Sequence, residues 1–173
     1  MLKLRFNRSI DIILTLVVIA TVMVAMHRPA KSDESIINIT LGGEPFVLEL
    51  ALDPASRSQG LMNRGEIAEN GGMLFAFPDE KPRNFWMKNC LIDMDIIFLD
   101  ANGTVVDVKE MFAEPLQRVD EPTAAYHARL RRYPSAAAAQ FAIELRHGTT
   151  TRLDIRPGQT IDFDRQTLAS RAR

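Results

Sequence analysis

Residues 85–103 read FWMKNCLIDMDIIFLDANG, and this stretch decides how the chain is expected to fold. Its second half, Met94 to Leu99, is apolar and closes on Asp-Ala-Asn-Gly. A short run rich in Ile and Phe that stops at such a signal is a strand entering a hairpin. Residues 104–112 supply the returning strand. The first half differs, because the only Trp and the only Cys of the chain stand there beside a Met, a Lys and an Asn. As a strand over residues 85–89, alternation sends Phe85, Met87 and Asn89 to one face and Trp86 and Lys88 to the other. Neither face is purely apolar, which suits a pocket wall. The plainer reading buries Trp86 and lays the Lys88 stem along its ring.

Outward from this stretch the chain alternates short β-rich runs with turn signals. Residues 36–41 and 46–52 flank GGEP and read as a hairpin. Asp53 can cap a helix that starts at Pro54 and ends near Gly60. Gly71 and Gly72 precede a strand over 73–77, and PDEKPR reads as a polar turn with two prolines. Residues 113–139 suggest a long surface connection with local helix. A strand over 141–146, a short helix in HGTTTRLD, a last strand over 160–163 and a frayed tail complete the pattern. The expected class is α+β, a compact and mostly antiparallel β barrel or sandwich with two short helices. The expected divisions are a leader over 1–28, a tether and first strand over 29–45, a globular domain over 46–164 and a tail over 165–173.

The leader has its own logic. Lys3, Arg5 and Arg8 precede an unbroken apolar run over residues 12–26, the layout of an export signal. Small residues are poorly placed for cleavage, which favours an uncleaved anchor helix in the inner membrane. The basic residues ahead of the run hold the N-terminus in the cytoplasm and send the body to the periplasm or the cell exterior. Four of the 21 basic residues and one of the 22 acids lie within 1–28, so the rest of the chain carries 17 against 21. That acidic balance, with no basic run beyond Arg131-Arg132, argues against a nucleic-acid partner. A lone Cys cannot form an internal disulfide.

Several motifs then occur in a fixed order: SRSQGLMNR at 56–64, GGMLFAF at 71–77, the 85–103 stretch, YPS at 133–135, FAIELRHG at 141–148 and IRPGQTI at 155–161. Together they resemble the uncharacterised family known as domain of unknown function 192, over about residues 46–163. The resemblance implies a compact, mostly antiparallel domain that is often exported and has no established activity. Three departures stand out. Asp93 occupies a position where members commonly have Pro, Cys90 one where Thr is frequent, and the connection after Ala113 is long.

The candidate site residues are Arg57, Arg64, Trp86, Met87, Lys88, Asn89 and Asp95. Arg57 and Arg64, seven apart, can share a helix face and grip an anion with planar forks. The alternative pairs Arg64 with Asp95. A hydrolase using Asp and Lys chemistry is a competing class, but no local His accompanies Cys90, and GxSxG and HExxH patterns are absent. Met62, Met73, Met87, Met94 and Met111 could hold a soft copper ion, although dispersed Met residues ordinarily fill core gaps. No cofactor or metal is expected. The leading expectation is a pocket around FWMKN that binds a small polar or anionic ligand, with a structural or protein-binding envelope module as the alternative.

Overall fold

The structure, a computed structural model, describes residues 35–173. The expected signal or anchor segment lies outside the described residues. Among the described residues no helix is long and apolar enough to cross a membrane.

Among the described residues six strands form one mixed sheet: β1 (Ile36–Leu41), β2 (Glu44–Ala51), β3 (Gly71–Trp86), β4 (Met94–Leu99), β5 (Val105–Met111) and β6 (Arg132–Arg146). Their order across the sheet is β1-β2-β3-β6-β4-β5, with β1 and β5 at open edges. The sheet is therefore neither a closed barrel nor a two-sheet sandwich. Every pairing is antiparallel except β2 with β3. Two parallel strands cannot be joined by a tight turn. The crossover over residues 52–70 carries helix α1 (Pro54–Gln59), capped by Asp53 as expected, with Gly60 at its end. Three more short helices follow: α2 (Thr123–Arg129), α3 (Thr149–Arg152) and α4 (Arg165–Arg171).

Both faces of the sheet are covered. One carries Leu48, Leu74, Ile97, Phe141, Ile143 and Leu145, packed beneath Ile161 and Leu168. The other carries Met73, Phe75, Ile96, Phe98 and Ala142, beneath Leu61, Met87 and Cys90. All six residues of β4 are buried, because it lies inside the sheet with cover on both sides.

The two hairpins fold as expected, the second closed by Asp100, whose Oδ1 accepts from Asn102 N and Thr104 N at 2.8 Å. Elsewhere tertiary pairing overrides local signals. The proline-containing PDEKPR segment lies inside β3, and the Ala-rich run lies inside β6. Proline cannot donate to a ladder, and the pairing slips where Pro78 and Pro82 fall. Between Ala76 and Lys81, β3 holds three residues more than its partner, an excursion that contains Phe77, and a second slip falls at Arg83. Residues 87–90 are a turn and not the end of a strand: Cys90 N donates to Met87 O, and Asn89 has φ 53°. The expected last strand is reduced to a Thr104–Thr160 bridge. The expected tail is α4, with Leu168 buried and Arg173 N bonded to Leu52 O at 2.9 Å.

Candidate functional site

Alternation along β6 points Phe141, Ile143 and Leu145 to one face and Ala142 and Glu144 to the other. On an edge strand Glu144 would reach water. On β6, with β3 and β4 on either side, its register partners are Met73 and Ile96, and only 6 % of the residue is exposed. Its Oε2 is enclosed and has no hydrogen-bond partner among the described residues. Burial pushes its carboxyl up to about 8, so at neutral pH the group is a neutral acid that can donate.

Glu144 lines a cleft of about 360 Å³ between α1 with the residues after it and the second half of β3. Gly60 ends α1 in a conformation, φ 48° and ψ −136°, suited to glycine. A Cβ there would lie 3.6 Å from Glu144 Oε2 and 3.4 Å from the Phe75 ring. The missing side chain keeps the space beside the carboxyl open. Cys90 stands at the same cleft, its Sγ 3.5 Å from Lys88 O. Burial, and secondarily the Glu144 charge, push its thiol up to about 12. A neutral buried thiol is a poor nucleophile.

The cleft wall is aromatic and cationic. Phe85 packs edge-on against Phe75, Phe77 and Phe98, with centroid separations of 5.2, 6.4 and 5.6 Å. Arg57 and Arg83 lie against the Phe77 ring, at 5.1 and 3.9 Å from its centroid. Arg57 donates to Leu52 O, Ala76 O and Arg173 O, which ties α1 to β3 and the C-terminus. Arg83 donates from Nε to Ala139 O and from Nη2 to the backbone and side chain of Asp79.

The sequence candidates separate. Arg57 and Trp86 line the cleft. Met87 is buried in the core beneath the sheet, together with Met73, Met94 and Met111, whereas Met62 lines the cleft. Lys88 lies with its Nζ 5.5 Å from the Trp86 ring centroid, on a ring that Arg132 also covers at 4.0 Å. The Asn89 backbone N–H donates to Tyr126 Oη, which donates in turn to Asn89 Oδ1, fastening the turn to α2. Arg64 pairs with Glu49 at 2.9 Å and not with Asp95. It does not share a helix face with Arg57, because Gly60 ends the helix first.

Asp95 is fully buried and fully engaged. Its carboxylate accepts from Thr150 Oγ1 at 2.7 Å, Thr150 N at 2.8 Å and Gly148 N at 3.2 Å, with His147 Nδ1 at 3.2 Å. Glu110 stands near enough that Asp95, Glu110 and His147 could in principle share a cation. The lone pairs of Asp95 already serve α3, so a metal would have to displace those donors. Glu144 carries no local signal of its own: in FAIELR, alternation assigns it the same face as Arg146, which reads as solvent.

An α+β domain built on an open mixed sheet, with an acid-floored cleft beside its central strands, is the class that fold and site define. The chain belongs to the DUF192 family, described as "Uncharacterized ACR", whose model matches residues 37–163. It is similar to a "putative transcription regulator" from Sinorhizobium meliloti 1021, with 32 % identity and a TM-score of 0.58, over 73 % of this chain and 90 % of that one. It is also similar to a protein of unknown function from Novosphingobium aromaticivorans DSM 12444, with 28 % identity and a TM-score of 0.58, over 74 % and 85 % of the two chains. No curated protein matches.

Proposed function

We propose that this is an envelope domain that binds a small polar molecule in the cleft beside α1. The observation that carries the reading is Glu144 Oε2, an enclosed carboxyl oxygen without a partner among the described residues, on the wall of an open cleft. Leaving a buried polar atom unpaired costs about 1–3 kcal/mol, and a ligand group that meets it recovers that cost. The cleft volume lies at the small end of the range for organic ligands. Export, with the body in the periplasm or beyond it, rests on the basic and apolar leader.

The regulator description of the Sinorhizobium protein does not transfer readily. The longest described helices have seven residues, and the chain beyond residue 28 is net acidic. DNA binding through a helix in the major groove asks for a longer helix and a basic face.

The only Trp of the chain lines the cleft, so its fluorescence reports on occupancy. A library of small polar molecules titrated against the full chain is expected to yield ligands that shift Trp86 emission. Glu144→Leu, of similar volume, should abolish those responses while the thermal midpoint holds or rises. Responses that survive this substitution, or none in the parent protein, would remove the reading.

A further inference from the structure

Resting on that reading, we infer that the ligand is a small organic carboxylate with an apolar body: its neutral hydrogen-bond acceptor meets Glu144 at the inner end, and its carboxylate lies at the Arg57 and Arg83 end. Three features of the cleft set this polarity. Oε2 lies beside Gly60 and the Phe75 ring and is itself enclosed, so only a compact group such as a carbonyl or hydroxyl can be brought against the acid. Between the two ends the wall offers Phe77, Phe85, Trp86, Leu61 and Met62, which suit a flat or apolar body.

At the other end stand two guanidinium groups. Among the bonds of the described residues, Arg57 leaves Nε and Arg83 leaves Nη1 without an acceptor. A few N–H groups suit a planar carboxylate; a phosphate would call for a fuller set of donors. Asp79, which pairs with Arg83 and Lys81, neutralises only part of this positive charge.

A cationic inner group is disfavoured twice, by passage beside two arginines and by the need to ionise an acid among apolar neighbours. The titratable groups that share the cleft with Glu144 are Arg57 from α1, Arg83 from β3 and Cys90 from the turn after β3. Its register partners Met73 and Ile96 carry no charge. Binding therefore follows the Glu144 proton: strong while the acid is protonated, weakening as pH rises through about 8.

Four probes of one shape test this by calorimetry on the full chain, with the Trp86 indole N–H resonance as a site marker. 4-Acetylbenzoate carries both groups. 4-Methylbenzoate lacks the acceptor, 4′-methylacetophenone lacks the carboxylate, and 4-(aminomethyl)benzoate replaces the acceptor with a cation. 4-Acetylbenzoate is expected to bind tightest, with 4-methylbenzoate and 4′-methylacetophenone each about tenfold weaker, the equivalent of one lost hydrogen bond or charge contact. Its affinity should fall about tenfold between mildly acidic and alkaline pH in the parent, and should stay level in Glu144→Gln, whose amide still donates. Tightest binding by the amine or by the uncharged ketone overturns the ligand class and leaves the cleft reading intact. If none of the four gives heat or moves the indole resonance at millimolar concentration, both fall. The ranking on the parent protein stands even if the Gln variant folds poorly.

Discussion

Asp95 and Glu144 sit on adjacent strands one register step apart: Asp95 pairs with Leu145, and Ile96 with Glu144. Both are buried carboxyl groups, and their side chains point to opposite faces of the sheet. On one face Asp95 collects hydrogen bonds from α3 and its approach, and so fixes a helix of only four residues to the sheet. On the other, Glu144 Oε2 is enclosed beside Gly60 at the cleft and meets no donor among the described residues. Burial alone therefore does not distinguish a clasp from a site. The difference lies in whether the protein itself supplies the partners.

The largest expected effect comes from breaking the satisfied member of this pair. Asp95→Ala strands the Thr150 and Gly148 amides, and should lower unfolding stability by about 3–5 kcal/mol in urea titrations. A loss below about 1 kcal/mol would mean that α3 does not depend on the carboxylate, and the contrast would collapse.

The next effect is a slope in pH. Glu144 keeps its proton up to about 8 in the folded chain, against a reference of 4.5, so between those values the folded state holds a proton that the unfolded state has released. Its contribution to stability is whole below about 4.5 and declines as pH rises to about 8, by an amount on the order of a few kcal/mol. Glu144→Gln removes the decline and should gain on the parent from acid to alkaline pH. Parallel stability curves for the two proteins across that range would show that Glu144 ionises in the folded chain as it does in the unfolded one, and the contrast with Asp95 would be lost.

The smallest effect concerns Cys90. Its thiol is held near 12 mainly by burial, so a bulky maleimide should label it no faster than the chain unfolds, and Glu144→Gln should leave labelling slow. Fast labelling in native buffer would mean that the cleft floor is open to large reagents, and would blur the distinction between the two faces.

Much of the local architecture was legible in the sequence. The 94–112 hairpin, the 36–51 hairpin and the Asp53-Pro54 helix start rest on contacts between near neighbours, which turn and cap residues encode directly. The Trp86 stretch was likewise recognisable as unusual, because it gathers the only Trp and the only Cys beside a Lys and an Asn, although its residue types left core and pocket wall both open. What local pattern could not supply was the partner of each strand. Pro78 and Pro82 argued for a turn, yet pairing with β6 carried β3 through both as an irregular strand. Asn89 was expected on a strand face, and is held at positive φ by Tyr126 thirty-seven residues away. Alternation placed Glu144 toward water, and only the central position of β6, with its second face roofed by the residues after α1, turned that side chain into the wall of a cleft. Local bonding is written into neighbouring residues, whereas the burial of a side chain depends on which distant segments cover it, and that was decided by the tertiary structure alone.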